Sequence, residues 1–234
     1  MLSLLRPRTL RVHLTRPANF RVPRAPRLVR FQSTAPRCSS CSRPLASNLP
    51  ACTSCWSIQP LPFNISHHEL FSIPYSPNPF VVDLPTLKNR FRQAQAACHP
   101  DAWASRPPKE QGLAHTLSSR LNEAYQSLLH PLSRAEYILE CNGVHISEAD
   151  QVQDMEFMVN IMETREAIED ATAQDKVLID ELTEANEAEI AQTISKLTSL
   201  IEKQDWEKVK AATIRLRYLQ GIQRATKQWM DQNL

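Results

Sequence analysis

The chain has 234 residues, 42 % of them apolar, enough to bury a core in one domain or two small ones. Its net charge of +2 hides an asymmetry: residues 1–68 hold ten Arg and no Lys, Asp or Glu, while the remainder has 17 basic and 25 acidic side chains, a balance of −8. Only three glycines occur, which argues against a phosphate-cradling loop, a Rossmann or P-loop enzyme, or a sheet of tight hairpins, and no apolar run approaches the length that spans a bilayer, so no membrane partner is expected.

The first segment, "MLSLLRPRTLRVHLTRPANFRVPRAPRLVRFQSTAPR", is Arg-only among its charged residues, contains Ser and Thr, and opens on an apolar-basic mixture. That is the composition of a mitochondrial transit peptide, whereas a polybasic arm normally uses Lys as well; a disordered basic arm is the alternative. "VRFQST" resembles a matrix-protease site, so residues 1–31 are predicted as transit peptide, the mature chain as starting near Gln32, and the mitochondrial matrix as its compartment.

Next comes "CSSCSRPLASNLPACTSC", with Cys38, Cys41, Cys52 and Cys55. Two CxxC turns each present two thiolates, and the spacer folds the second pair back onto the first, which suits tetrahedral coordination of one structural zinc. Two disulfides are the alternative, disfavoured in a reducing matrix, and a redox CxxC would want a βαβ context that is missing here. Residues 32–60 are predicted as this metal element and its linker, with "WSIQPLPFNIS" as a proline-rich tether to the helices beyond it. Cys98 and Cys141 stand alone in helical sequence and read as small core residues.

Thirteen of the 17 prolines lie at or before Pro85 and none follows Pro131, so the last 103 residues can be helical almost throughout. "SHHELFSIP" predicts a short helix capped by Ser66 with Glu69 at the capping-box position. "DLPTLKNRFRQAQAAC" predicts a longer one, capped by Asp83 or Thr86, with Leu84, Leu87, Phe91 and Ala94 on one face and Lys88, Arg90 and Arg92 on the other. It breaks at His99-Pro100-Asp101. "KEQGLAHTLSSRLNEAYQSLLH" then places Leu113, Leu117, Leu121, Ala124 and Leu128 on one side, and "LSRAEYILECNG" gives a last short helix ending near Gly143.

Two amphipathic helices joined by a loop holding His99, Pro100 and Asp101, the first with a basic face, resemble a J-domain. Pro100 ends the incoming helix, and Asp101 is left as an exposed acceptor for a partner arginine. Beyond it, "LNEAYQSLLHPLSRAEYILECNGV" resembles the stretch by which HscB-type J-proteins of iron–sulfur cluster biogenesis join their J-domain to a C-terminal helical bundle. The resemblance runs from about Glu69 to the C-terminus, and the tetracysteine element is similar to that of many eukaryotic members. It implies a protein that is not an enzyme: it binds a cluster scaffold, delivers it to a DnaK-type mitochondrial chaperone, and stimulates that chaperone's ATPase. Lys88, Arg90, Arg92, His99, Pro100 and Asp101 would then face the chaperone. Two positions depart from the family pattern: Cys98 stands where Tyr is usual, and Ala102 where Lys is; loss of that Lys is expected to weaken chaperone docking modestly.

In "SEADQVQDMEFMVNIMETREAIEDA", Phe157, Ile161 and Ile168 make one inward stripe, and Met158, Val159 and Met162 widen the apolar arc beyond it. A helix sandwiched between two others would account for such an arc. The resemblance assigns Met158, Val159, Met162, Glu163, Arg165 and Glu166 to the scaffold-binding helix, and methionines rimmed by charge suit a transient interface. Two further helices turn Leu182, Ile190, Ile194, Leu197 and Ile201, then Val209, Leu216 and Leu219, inward. Tyr218 matches the family's aromatic scaffold contact, its plain alternative being a half-buried bundle tyrosine.

The fold expected is therefore all-α: a J-domain hairpin at 66–143 and a three-helix bundle at 147–234, behind a small zinc element. No nucleophile elbow or Ser/His/Asp pattern supports a hydrolase. The competing reading is a zinc-containing nucleic-acid-binding mitochondrial protein, resting on the CxxC pairs and the Arg-rich start. Loss of residues 1–31 would remove most of that basic charge, so no nucleic-acid partner is expected; the sequence leaves the oligomeric state open between a monomer and a weak homodimer.

Overall fold

The structure, a computed structural model, describes residues 36–233 apart from 46, 63, 148, 149, 151 and 153; the predicted transit segment lies outside the described residues. Two small hairpins come first. Arg37 bridges Pro44 in one, and β1 (Ala51–Cys52) pairs antiparallel with β2 (Ser57–Ile58) in the other. Helices come after them: α1 (His67–Leu70), α2 (Leu84–Cys98), α3 (Pro100–Trp103), α4 (Pro108–Leu129), α5 (Pro131–Cys141), α6 (Met155–Asp170), α7 (Lys176–Glu202) and α8 (Trp206–Asn233).

Local signals explain most of these boundaries. Ser66 and Glu69 form the reciprocal capping box that opens α1. Asp83 caps α2 by accepting from the Thr86 amide, and Asp154 caps α6 by accepting from the Phe157 amide. Pro100, Pro108 and Pro131 each stand at the first position of a helix, where a missing N–H costs nothing. The α4–α5 junction is closed from inside by Arg134. Its guanidinium donates to the carbonyls of Leu128 (2.6 Å) and Leu129 (3.1 Å), which α4 leaves unpaired at its end, and to Phe80 O (2.9 Å). That buried cation ties together α4, α5 and the loop before α2, which is the physical content of the "HPLSRAEY" stretch; burial pulls its pKa down to about 10, so it stays charged at neutral pH.

Apolar side chains gather in three clusters. In the first, α1, α2 and α4 bury Leu70, Phe71, Leu87, Ala94, Leu117, Leu121 and Leu128, joined by Trp103 of α3. The third holds Phe157 and Ile161 of α6, Ile179 of α7, and Leu219, Ile222 and Trp229 of α8. Between them lies a second, in which Phe80 and Ala135, Ile138 and Leu139 of α5 pack with Leu197, Ile201, Val209 and Leu216.

Helix α5, placed with the J-domain from sequence, packs on α4 and also buries Ala135, Ile138 and Leu139 in one cluster with residues of α7 and α8, so the border between the halves runs through a shared core. Three expectations are corrected by this packing. The metal element is not a tethered appendage: Leu49, Ala51 and Ile58 are buried in the first cluster beside the J-helices. Cys141 is exposed rather than core, although Cys98 is fully buried. Leu84 is also exposed, because it stands in the first turn of α2 with the hairpin core beginning one turn later at Leu87.

His68 gives the fold a pH dependence. The ring is fully buried and its Nε2 lies 2.9 Å from Pro79 O. Desolvation lowers its pKa from the ordinary 6.5, opposed by the Pro79 contact and reinforced by Arg134 nearby. The unfolded chain therefore binds the proton more readily than the folded one, and stability falls as pH drops through about 6.5, levelling only below the folded-state pKa. Thermal unfolding followed between pH 7.5 and 5 is expected to show this fall, and His68→Asn to reduce it, the remainder coming from His67, whose pKa burial lowers as well.

Candidate functional site

The tetracysteine element is a twofold repeat with an offset of fourteen residues. Leu45 N–H donates to Pro36 O in the first hairpin as Gln59 N–H donates to Pro50 O in the second, and Ser42 N–H to Cys38 O as Trp56 N–H to Cys52 O. Each CxxC is thereby a tight knuckle, and the residue after it takes a positive φ, +58° at Ser42 and +57° at Trp56. A bulky side chain in that region costs on the order of 1–2 kcal/mol. The four Sγ atoms all lie within 4.8 Å of one another, with Cys38–Cys55 at 3.5 Å and Cys41–Cys52 at 3.7 Å. Tetrahedral thiolate ligation at 2.3 Å calls for sulfurs about 3.8 Å apart, so the set fits one metal ion. Amides favour the charged form here: the N–H groups of Cys55, then Ser54, hold the Cys52 thiol down to about 6, while desolvation pushes Cys55 up to about 12. A cation bound among them would favour four thiolates.

Because the element shares a core with the J-helices, metal loss is expected to be felt beyond it. Releasing Leu49 and Ile58 alone would forfeit about 3–6 kcal/mol of burial, hence a fall in melting temperature of roughly 10 °C or more. Calorimetry of Cys52→Ser, with metal content measured in parallel, checks this; a metal-free protein melting with the wild type would contradict it.

Helix α2 ends at the tripeptide because one residue serves two helices. His99 closes α2 and caps α3, its Nδ1 accepting from the Asp101 amide at 3.3 Å and standing 3.7 Å from the Asp101 carboxylate. His99 and Asp101 are exposed, as are Lys88, Arg90 and Arg92 along α2, so the basic face runs toward the loop. Cys98, at the position where the resemblance expects Tyr, is buried under the loop, its thiol pushed up to about 12 by burial, and Ala102 is exposed. Trp103, not anticipated from sequence, anchors the turn: it is fully buried, and its indole N–H donates to Ala97 O at 3.2 Å. A tryptophan two residues past the tripeptide, in otherwise small and polar sequence, was the available signal.

At the other end of the molecule α6 and α8 enclose a groove of about 450 Å³. Met158, Ile161, Met162, Ile214 and Tyr218 give it an apolar lining, and Arg165, Arg217 and Arg224 a charged one. Met158 and Tyr218 are half-buried, the Tyr218 ring edge-on to Phe157 at 6.3 Å, and Met162 is 66 % exposed. Val159, Glu163 and Glu166 are exposed on the same helix but outside the groove's lining. Ion pairs tie the bundle helices together beside it: Arg215 lies 3.8 Å above the Phe157 ring and reaches Asp154 (3.4 Å) and Glu189 (3.1 Å), while Lys210 pairs with Asp150 (2.9 Å), which lines the groove. Sequence reasoning missed Arg217 and Arg224, which a seven-residue spacing beside Tyr218 could have flagged. A larger cavity, about 550 Å³, lies between α4, α5 and α8 and contains none of the predicted site residues.

Residues 153–227 match the family model described as the HSCB C-terminal oligomerisation domain. A co-chaperone protein HscB homolog of Burkholderia thailandensis is 38 % identical over 143 residues, 58 % of this chain and 78 % of that relative. The chain belongs to the HscB co-chaperone family. The human iron-sulfur cluster co-chaperone protein HscB is 29 % identical over 197 residues, 83 % of each chain. Among solved structures, that of human HscB superposes with a TM-score of 0.71 at 28 % identity, covering 82 % of this chain and 98 % of that one. HscB from Vibrio cholerae gives 0.65 at 26 % identity, covering 73 % and 100 %. The HscB architecture is thus shared across both halves of the fold, and these relatives are named as co-chaperones.

Proposed function

We propose that this chain is an iron–sulfur cluster co-chaperone that binds a cluster scaffold protein through its C-terminal half, hands it to a DnaK-type chaperone, and stimulates that chaperone's ATPase. The observation that carries the reading is the exposed His99–Asp101 pair, held rigidly at the end of a basic helix, in a chain whose relatives are named co-chaperones. Asp101 is the acceptor for a cationic group of the chaperone, Lys88, Arg90 and Arg92 supply complementary charge to an acidic surface, and His99 fixes the Asp101 amide and carboxylate. The α6–α8 groove takes apolar side chains of the scaffold onto Met158, Met162 and Tyr218, with Arg165 in its charged lining and Val159, Glu163 and Glu166 adding contacts from the exposed surface of α6 outside it.

In this account residues 66–143 serve the chaperone, residues 147–234 the scaffold, and residues 32–60 hold one structural zinc. Residues 1–31 direct the chain to the mitochondrial matrix, in keeping with the Arg-only start and with human, mouse and Arabidopsis relatives. A weak homodimer through the C-terminal half accords with the oligomerisation named for the matching family model. Steady-state ATPase turnover of a mitochondrial DnaK-type chaperone, titrated with this protein, tests the reading; no stimulation at any concentration refutes it.

A further inference from the structure

Trp56 carries the metal knuckle onto α3, the short helix that begins at Pro100, through an aromatic contact with Trp103. Its counterpart in the first hairpin, Ser42, is exposed. Trp56 is half-buried, in an edge-on contact with Trp103 at 5.4 Å and 78°, and the Arg106 guanidinium stands 4.3 Å from its ring centroid. A small residue or glycine would take φ +57° more cheaply, so the position holds tryptophan against its backbone preference.

What Trp56 leans on is the anchor of the turn. Trp103 belongs to the four-residue helix that begins at Pro100, and its indole N–H is bonded to Ala97 O in the last turn of α2. The backbone closes around it: Ala104 N–H donates to Asp101 O, and Arg106 N–H to Trp103 O. Gln111 then donates to the Ala104 and Arg106 carbonyls from α4. The direction of Asp101 is therefore set by how Trp103 sits, and one wall of its site is an indole whose own backbone is bonded to Cys52 of the knuckle.

We propose that Trp56 is a positioning residue for the His99-Pro100-Asp101 turn, transmitting the closed state of the tetracysteine knuckle to it through Trp103. The proposal rests on the reading of that turn as the ATPase-stimulating element. Lys88, Arg90 and Arg92 are exposed along α2, and the cation over the Trp56 ring is Arg106, so recognition of the chaperone persists when Trp56 is truncated. What declines is the fraction of bound complexes in which Asp101 is correctly aimed. The signature is a split: maximal stimulation falls while the half-saturating concentration holds.

The test uses metal-loaded protein in four forms beside the wild type: Trp56→Ala, Trp56→Phe, Leu49→Ala and His99→Gln. Leu49→Ala opens a cavity in the same element while leaving both indoles in place, and controls for plain loss of stability. ATPase stimulation of a DnaK-type chaperone is titrated, metal content measured, and amide chemical shifts of residues 99–104 recorded. Trp56→Ala should keep its metal and a half-saturation within about twofold of wild type, yet lose at least about fivefold in maximal stimulation. Trp56→Phe should restore most of the loss, and Leu49→Ala should keep full stimulation. Equal maximal stimulation by Trp56→Ala and wild type overturns the proposal, as does a parallel loss in Leu49→Ala. Should the wild type and His99→Gln both fail to stimulate, the functional reading falls. The positioning claim is then decided by the shifts: displaced Asp101 and Ala102 amides in Trp56→Ala uphold it, and unmoved ones reject it.

Discussion

His99→Gln is expected to remove the stimulation of the partner ATPase, by at least about tenfold in maximal rate, while scaffold affinity and melting temperature stay close to wild type. The side chain has two jobs in one turn: its Nδ1 accepts the Asp101 N–H, and its ring stands beside the Asp101 carboxylate. Glutamine is longer, rotates about an additional bond, and is a poor cap, so Asp101 loses its fixed direction. The fold loses little, since His99 is exposed and the turn keeps its Trp103 anchor. Nor should the scaffold be affected, because no residue of α2 or α3 lines the α6–α8 groove. Titrated ATPase assays and a scaffold-binding isotherm on the same preparation check both halves. Loss of both activities together would contradict the division of labour.

Replacing Met158, Met162 and Tyr218 together by Ala is expected to cripple scaffold binding and leave chaperone stimulation without scaffold unchanged. Truncating an apolar interface anchor costs about 1–3 kcal/mol, roughly ten- to a hundredfold in affinity each. Met162 is mostly solvent-exposed, so its truncation gives up binding surface and almost no core. Met158 and Tyr218 are half-buried, and Tyr218 packs on Phe157, which makes part of their role structural. Tyr218→Phe keeps that ring contact and serves as the control for packing. Isothermal titration against the scaffold, with circular dichroism melts of each variant, separates the two contributions. A triple variant whose helicity collapses would show these side chains to be core.

The parts of this architecture legible in sequence were those encoded locally. Ser66, Asp83 and the three helix-opening prolines mark boundaries through their own backbone chemistry, and the CxxC spacing carries its ligand geometry with it. The partnership of elements was not local. The apolar face of α5 suits either half equally, and only the helices it meets, α7 and α8, decide where it is buried. Proline-rich sequence after the second CxxC read as a tether because nothing in "WSIQPLPFNIS" reveals that Ile58 enters the core of a hairpin dozens of residues away. Trp56 and Trp103 escaped for the same reason: each looks like a lone aromatic in a loop until the two are seen edge to edge. Of the residues assigned to scaffold binding, Met158, Met162, Arg165 and Tyr218 meet in one groove because α6 and α8 are adjacent, a tertiary fact; the exposure of Val159, Glu163 and Glu166 follows from helical spacing alone.

The measurement that bears most directly on the account is the chaperone's steady-state ATPase rate with scaffold and this protein added singly and together. Wild type should stimulate alone and stimulate further with scaffold present. His99→Gln should do neither, and the Met158, Met162 and Tyr218 triple variant should stimulate alone but gain nothing from scaffold. A rate unaffected by wild type, or a scaffold-dependent gain that survives in the triple variant, would contradict a co-chaperone that joins the two partners through these two surfaces.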